Sequence, residues 1–139
     1  MTVYFDENMP PHLARGFHTI QSVENFKRKS HLIDVRLLKD DFGTGSKDLE
    51  WIPKLKGSNS FIVTRDINLD KRKDEIAAYR DTGIGLFFIR GASKKTNLTV
   101  WEMLLILSRQ WEEMIKIMKR RKAPFSYILT YGGTPKQFR

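Results

Sequence analysis

The chain has 139 residues, of which 40% are hydrophobic and 12% aromatic, so it can bury an ordinary core and is not intrinsically disordered. It contains no cysteine, which excludes disulfide frameworks and thiolate metal sites. The net charge of +9 comes entirely from residues 71–139, which contain 15 basic and 6 acidic residues. Residues 1–70 contain 10 basic and 10 acidic residues. This surplus predicts a polyanionic partner such as nucleic acid, or an acidic protein, with a merely basic soluble domain as the alternative.

No segment predicts a membrane span or a secretory signal. The longest apolar run, Met103–Leu107, is far too short to cross a bilayer. Asp6 and Glu7 interrupt the N-terminus before any apolar signal core can form. We therefore expect a soluble, cytoplasmic protein with no membrane partner.

The first third of the chain predicts two strands and a helix. A short strand over Thr2–Phe5 ends at Asp6. Two prolines at residues 10–11 suit the first turn of a helix, where no backbone N–H is required. Its predicted apolar face is Leu13, Phe17 and Ile20. Residues 31–35 predict a second strand, and residues 40–46, which are polar and contain glycine, predict a loop.

The middle of the chain predicts a short helix, two buried strands and a longer helix between them. The short helix has Leu49, Ile52 and Leu55 on one face. A turn over residues 57–60 leads into a strand over residues 61–63, and residues 84–89 form the next strand. Residues 70–82 predict a helix that ends at Gly83. Its inner edge is predicted to carry Ile76, Ala77 and Tyr79, or Arg80 in place of Tyr79.

The last third predicts the longest helix, over about residues 96–122, a final strand over residues 125–129 and a polar tail over residues 131–139. The helix places these residues on one apolar face: Val100, Leu104, Leu107, Trp111, Met114 and Met118. The tryptophans Trp51, Trp101 and Trp111 are all expected to pack in the core. Alternating strands and helices predict one three-layer α/β/α domain over residues 1–139, with a mostly parallel central sheet.

Aspartates follow two of the predicted strands, and a third stands between them. Asp6 ends the first strand, Asp66 follows the strand that begins at Phe61, and Asp48 lies in the first turn of the short helix. In an open α/β sheet the working site lies at the carboxyl ends of the strands. Three carboxylates there would repel one another unless a cation neutralised them, and hard oxygen ligands suit Mg²⁺ or Mn²⁺. Such a metal lowers the pKa of bound water and stabilises charge on a phosphate.

Each acid also has an ordinary structural role available to it. Asp6 could begin a turn, Asp48 could favour the positive end of a helix dipole, and Asp66 could cap the following helix. Different chemistry has weaker support. His12, His18 and His31 lack metal-ligand spacing, and the glycine-containing stretch over residues 43–46 lacks the lysine and preceding strand of a P-loop. The sequence also contains no nucleophile elbow around a serine.

Three stretches of the sequence resemble the acidic motifs of PIN-like domains. They are Asp6-Glu7-Asn8-Met9-Pro10, Lys47-Asp48-Leu49-Glu50-Trp51-Ile52 and Ile62-Val63-Thr64-Arg65-Asp66-Ile67-Asn68. The resemblance is to the compact bacterial branch that includes VapC-like toxins, and it covers most of residues 1–90. The first stretch is also similar to the phospho-acceptor segment of response-regulator receiver domains. Receivers place that segment after a third strand, whereas only five residues precede Asp6 here.

The resemblance to PIN-like domains implies a metal-dependent ribonuclease that hydrolyses phosphodiester bonds by in-line attack of a metal-activated water. It implies that Asp6, Asp48 and Asp66 bind Mg²⁺ or Mn²⁺, and that Thr64 orients Asp66 or a bound water. The residues that could support these ligands are Glu7, Asn8, Glu50, Asn68 and Asp70. PIN domains often have a fourth acid after the third motif, and Asn68 and Asp70 are the nearby candidates here.

The same resemblance implies the toxin of a toxin–antitoxin pair, with RNA as substrate and an antitoxin protein as partner, and it is compatible with a homodimer. Two alternatives stay open. One is a non-catalytic RNA-binding or regulatory PIN-like domain in which the acids are structural. The other is a nuclease that uses the same site on DNA.

Basic residues near the predicted strand ends and on the long helix are candidate RNA contacts, because they could hold a phosphate backbone. They are Arg65, Lys71, Arg72, Lys73, Lys94, Lys95, Lys119, Arg120, Arg121 and Lys122. For the cluster that follows Lys116 on the long helix, the alternative is a set of cations favoured at a helix C-terminus.

Overall fold

The computed structural model describes residues 1–28, 32–43, 52–65, 73–91 and 98–137. The strands are β1 (Thr2–Phe5), β2 (Asp34–Leu37), β3 (Ser60–Arg65), β4 (Gly85–Ile89), β5 (Phe125–Leu129) and β6 (Lys136–Gln137). The helices are α1 (Pro11–Arg28), α2 (Leu38–Phe42), a 3-10 helix (Ile52–Leu55), α3 (Lys73–Thr82) and α4 (Val100–Arg120). The strand order is β2-β1-β3-β4-β5-β6, with β1 to β5 parallel and β6 antiparallel to β5.

The helices cover both faces of the sheet. Successive strand residues point to opposite faces, so the sheet contributes side chains to two cores. On one face Phe5, Val63 and Phe87 share a core with buried side chains of α1 and α4. On the other face Tyr4 and Ile62 share a second core with residues of α2, the 3-10 helix and α3. This arrangement confirms the predicted three-layer α/β/α fold with a mostly parallel sheet.

The helices run antiparallel to the strands that they connect, which defines two edges of the sheet. The carboxyl edge is the rim where β1 to β5 end, and the amino edge is the rim where they begin. The side chain of Asn25, late in α1, donates to the carbonyl of Ile33 just before β2, at 2.7 Å. His18, earlier in α1, lies 2.8 Å from the carbonyl of Val35 within β2. The C-terminal end of α1 therefore lies at the amino edge.

Helix α4 is longer than the strands and extends past the carboxyl edge. Its 21 residues span about 31 Å, whereas the five residues of β5 span roughly 17 Å. The side-chain amide of Gln110, halfway along α4, donates to the carbonyl of Thr130, directly after β5, at 2.6 Å. The first half of α4 therefore projects beyond the sheet, and its second half returns along the sheet to the amino edge.

The structure corrects three predicted segments. Residues 40–42, expected in a loop, belong to α2, because Leu38 buries its side chain and Arg36 binds Asp41 across the start of the helix. The second strand is shifted to residues 34–37, where Val35 and Leu37 alternate inward. The tail over residues 131–139 is not purely irregular, because it contains β6. Of the predicted short helix, the described residues contain only the 3-10 helix Ile52–Leu55, and its predicted first turn lies outside them. The other predicted strands and helices are present, with small differences at their ends.

Several residues expected in the core are exposed. Ile20 is 63% exposed, one position away from the buried stripe Leu13, Phe17 and Gln21 of α1. Ala77 is exposed on α3, where Tyr79 is the buried side chain. Trp101 is 77% exposed because it lies on the outer side of α4, outside the buried stripe of that helix. Trp51 and Leu49 lie outside the described residues.

In the described part of the chain, no helix has the length and apolar character needed to cross a membrane.

Candidate functional site

By its strand order, the expected ligand crevice of this sheet lies at the carboxyl edge between β1 and β3. From β1 the chain passes through α1 to β2 on one side, and β3 then lies on the other side of β1. The helix α1 covers one face of the sheet, and α3, which precedes β4, covers the opposite face. Parallel sheets bind ligands at such a switch point, because the connections diverge there and leave the strand ends open.

Asp6 lies at this crevice, only 5% exposed, directly after β1. Its backbone N–H donates to the carbonyl of Val63 in β3 at 3.2 Å. Its carboxylate oxygen Oδ1 accepts a hydrogen bond from the backbone N–H of Asn8 at 3.0 Å. Its carbonyl accepts from the N–H of Met9, also at 3.0 Å, and Met9 is buried beneath the turn. These bonds fix the carboxylate at the strand end and offset part of the cost of burying it.

Thr64 lies on the neighbouring strand at the same height. Phe5 is paired with Val63, so the next residues along each strand, Asp6 and Thr64, are adjacent at the carboxyl edge. Neighbouring strands are about 4.8 Å apart. Thr64 has no exposed surface, and it pairs with Phe88 of β4 on its other side. A buried carboxylate and a buried hydroxyl therefore lie side by side at the carboxyl edge. Thr64 also lies two residues before Asp66 in the sequence.

The described residues at the carboxyl edge include six predicted site residues. Asp6 and Thr64 are buried, Arg65 is partly exposed, and the exposed residues are Glu7, Asn8 and Lys73. The predicted site residues that lie outside the described ranges are Asp48, Glu50, Asp66, Asn68, Asp70, Lys71, Arg72, Lys94 and Lys95. The described ranges contain no group of three histidine or acidic side chains able to hold a metal. Two of the three predicted metal ligands lie in the gaps between those ranges.

The basic cluster Lys119, Arg120, Arg121 and Lys122 lies at the other edge of the sheet. It ends α4 and precedes β5 by only a few residues, so it lies at the amino edge, away from Asp6. A strand of six residues such as β3 spans about 20 Å, which is the approximate separation of the two edges. The candidate RNA contacts that the structure describes therefore fall on two separate surfaces.

Sequence reasoning missed a charged network beside β1. The hydroxyl of Tyr4 donates to Asp41 at 2.8 Å, and Arg36 donates to the same carboxylate at 2.6 Å and 2.9 Å. Burial and the hydrogen bond to Asp41 raise the pKa of Tyr4 to about 12. The Arg36 guanidinium holds the pKa of Asp41 below its usual range. No sequence spacing signals this network, because its three members come from β1, β2 and α2.

A second missed feature fixes the start of α4. Thr99 and Glu102 form a capping box, in which Thr99 Oγ1 accepts from the N–H of Glu102 and Glu102 accepts from the N–H of Thr99. Tyr131, just after β5, donates its hydroxyl to Glu102 at 2.7 Å, which lowers the pKa of Glu102. The Thr-x-x-Glu spacing was the available sequence signal. The projecting half of α4 is thereby tied to the carboxyl edge.

Together, these features define an α/β protein with a doubly covered parallel sheet and a buried aspartate at its switch point. A family model described as "PIN like domain" matches residues 1–91, which include β1 to β4 and all three predicted acidic motifs. The chain belongs to the PIN-like domain family, whose members are generally nucleases. No curated protein and no solved structure matches the chain significantly.

Proposed function

We propose that this protein is a metal-dependent endoribonuclease that hydrolyses phosphodiester bonds at the carboxyl edge, with Asp6, Asp48 and Asp66 as ligands of Mg²⁺ or Mn²⁺. The observation that carries the proposal is the buried carboxylate of Asp6 beside the buried hydroxyl of Thr64 at the switch point. Membership of a family that consists mainly of nucleases supports it independently.

The donor chemistry at this edge fits a hard divalent cation. Asp6 supplies a carboxylate whose position is fixed by the turn, and the chain contains no cysteine that would favour a softer metal. A bound Mg²⁺ or Mn²⁺ would supply an activated water and neutralise negative charge on the phosphate. Asp48 and Asp66 would complete the ligand set from the two adjacent motifs.

The remaining residues of the edge would position the substrate. Thr64 would orient Asp66 or a bound water through its hydroxyl, and the backbone N–H of Asn8 would keep the Asp6 carboxylate aimed at the crevice. The residues that would support the metal ligands without binding the metal themselves are Glu7, Glu50, Asn68 and Asp70. The cations nearest in sequence to the acids, including Arg65 and Lys73, would hold the phosphodiester backbone.

The biological setting that we propose is the toxin half of a toxin–antitoxin pair in the cytoplasm. Support comes from the resemblance of the three acidic motifs to VapC-like toxins. The partner would be an antitoxin segment that covers the acidic crevice, and a homodimer is compatible with this arrangement. RNA rather than DNA is the proposed substrate.

A non-catalytic RNA-binding or regulatory domain is the second candidate. The feature that favours it is Asn68, an amide where an additional acid often follows the third motif of PIN domains. In that case the acids would be structural, and the excess of basic residues would account for RNA binding.

Cleavage of a mixed panel of single-stranded RNA and DNA, in Mg²⁺, in Mn²⁺ and in EDTA, separates these functions. The proposal predicts that RNA is cut in either metal and left intact in EDTA. Preferential cleavage of DNA would assign the same chemistry to a different substrate. Binding of RNA without cleavage under any of the three conditions would favour the second candidate.

A further inference from the structure

The amino edge of the sheet, opposite Asp6, collects basic residues from separate helices. Helix α1 ends on Lys27 and Arg28, and the last turn of α3 contains Arg80. Helix α4 ends on Lys119 and Arg120, and Arg121 and Lys122 follow it. We use the term amino-edge cluster for five of these residues: Arg80, Lys119, Arg120, Arg121 and Lys122.

The α3 and α4 parts of the amino-edge cluster meet beside two adjacent strands. Gly85, the first residue of β4, is paired with Phe125, the first residue of β5. Arg80 precedes β4 by one turn and lies on one face of the sheet, while Lys122 lies between β5 and α4, the helix on the other face. The cations therefore flank the same strand ends from both faces.

None of the five residues of the amino-edge cluster forms a salt bridge with an acid in the described part of the chain. Elsewhere Arg28 pairs with Glu24 at 3.3 Å and Lys116 pairs with Glu113 at 3.0 Å. Among the described residues, Lys119, Arg120 and Lys122 are exposed and form no salt bridge with any acid. Like charges that are held close together without counterions repel one another, and this repulsion is relieved when a polyanion binds.

One member of the cluster is fixed in place beside a cleft. Arg121 donates to the side-chain oxygen of Gln137 in β6 at 3.2 Å, and its guanidinium lies 5.6 Å from the centre of the Tyr127 ring. A cleft of about 380 Å³ lies next to this pair, with Arg80 and Gln137 among the residues that line it. Arg80 thus lines the cleft directly, and Arg121 is linked to it through Gln137.

We propose that the amino-edge cluster is a second nucleic-acid-binding surface, which holds the phosphate backbone of a single strand independently of the metal and of the acids at the carboxyl edge. A row of unpaired cations contributed by different elements matches the repeated charges of a polyphosphate chain. This inference goes beyond the proposed cleavage, because binding here requires neither Asp6 nor a divalent ion.

A helix-dipole effect and a membrane-binding role each fit the amino-edge cluster less well. Cations at a helix C-terminus are favoured by the helix dipole, but that effect is confined to the last turn and does not extend to Lys122, which lies beyond α4. Membrane binding calls for exposed apolar side chains among the cations. The exposed Phe26 and Leu32 belong to α1 and to the segment before β2, not to the ends of α3 and α4 that form the cluster.

The test is fluorescence anisotropy of a labelled single-stranded RNA of about 20 nucleotides, titrated with protein in EDTA at several salt concentrations. The combined variant Lys119→Gln, Arg120→Gln and Lys122→Gln is expected to weaken binding about tenfold or more. It should also reduce the slope of log K against log salt by about 2, because each phosphate contact to a single strand contributes roughly 0.7. All three side chains are exposed, so far-ultraviolet circular dichroism should be unchanged.

Arg109 provides the matched control for Arg120. Both are exposed arginines on α4, and their separation of 11 residues, about three turns, places them on the same side of the helix. Arg120→Gln should lower the salt slope by about 0.7, whereas Arg109→Gln should leave it unchanged. Equal effects of the two variants would mean that only overall charge matters, and the inference would be wrong.

Three further outcomes would overturn the inference. The first is unchanged RNA binding by the triple variant; the second and third are tighter binding of the wild type to polyglutamate, or to anionic vesicles, than to RNA. The result is separable from the proposed nuclease activity. Loss of cleavage in Asp66→Asn tests the carboxyl edge, whereas the anisotropy of the triple variant in EDTA tests the amino-edge cluster. A wild type that binds RNA through this cluster but never cuts it would retain the inference and reject the nuclease.

Discussion

The backbone N–H of Asp6 donates to the carbonyl of Val63 at 3.2 Å, which ties the end of β1 to β3 one residue before Thr64. Through this bond the first acidic motif is held against the strand that leads into the third. The bond belongs to the parallel ladder, so the relative height of the two motifs is set by sheet register. A change in that register would separate the Asp6 carboxylate from the Thr64 hydroxyl.

Removal of the Thr64 hydroxyl should impair activity more than stability. Thr64→Val keeps a β-branched side chain of similar size in a strand position with no exposed surface. We expect a decrease in kcat of about tenfold or more, comparable with the loss of a group that orients a metal ligand. RNA cleavage rates in Mg²⁺ measure this effect, and urea unfolding should show a change of about 1 kcal/mol. Thr19→Val, on the exposed surface of α1, is the control and should retain the wild-type rate.

The Tyr4–Asp41 hydrogen bond should make stability depend on pH at both ends of the range. The pKa of Tyr4 is raised to about 12 in the folded protein, so its contribution is complete below the ordinary value near 10 and disappears as pH rises through 12. The pKa of Asp41 is lowered in the folded protein. Its contribution to stability is therefore present above the ordinary pKa of an aspartate and is lost as pH falls through the lowered pKa.

Asp41→Asn tests both halves of this dependence. It removes the anion that binds Arg36 and Tyr4, and should lower the free energy of unfolding at neutral pH by about 1–3 kcal/mol. The free energy of unfolding, measured by urea denaturation at several pH values between acid and neutral, should change less with pH in the variant than in the wild type. Alkaline absorbance titration, with Tyr4→Phe to identify the signal, should show that the pKa of Tyr4 moves back toward 10. An unchanged pKa would contradict the assignment.

Gly85 is required by the packing of two phenylalanine rings. The rings of Phe61 and Phe125 stack with centroids 5.8 Å apart, and a methyl group at Gly85 would overlap both of them. Gly85→Ala should therefore lower the free energy of unfolding by about 1–3 kcal/mol, measured by urea denaturation. Gly16→Ala is the matched control, because a methyl there meets no atom within 4 Å and Gly16 lies inside α1. That variant should be stabilised by up to about 1 kcal/mol.

The fold was predictable from sequence where the hydrophobic pattern is strong. The predicted strands over residues 61–63 and 84–89 are almost wholly apolar, and the aspartate after β1 indicated the carboxyl edge. Helix α2 was not predictable, because a five-residue segment with two adjacent aspartates has the composition of a loop. Its helical form is stabilised by the hydrogen bonds of Asp41 with Arg36 and Tyr4. Such contacts depend on tertiary structure, which periodicity does not report.

The error at Trp101 comes from treating a position on a helix as a position in the core. Trp101 lies outside the buried stripe of α4, on the side of the helix that faces solvent. The hydrophobic pattern also does not give the direction in which α4 runs along the sheet, which places Arg120 at the edge opposite Asp6. The position of Asp6 was predictable because it depends only on where β1 ends. The roles of Asp48 and Asp66 stay predictions, since both lie outside the described residues.

The measurement that tests the proposed nuclease most directly is RNA cleavage by the wild type, Asp6→Asn and Asp66→Asn, side by side in Mg²⁺ and in EDTA. Asp81→Asn, an exposed aspartate at the end of α3, is the matched control. A metal-dependent site at the carboxyl edge predicts cleavage by the wild type and Asp81→Asn in Mg²⁺ only, and a loss of about a hundredfold or more in Asp6→Asn and Asp66→Asn with the fold intact. Cleavage by Asp66→Asn at the wild-type rate, or equal cleavage in EDTA, would contradict it.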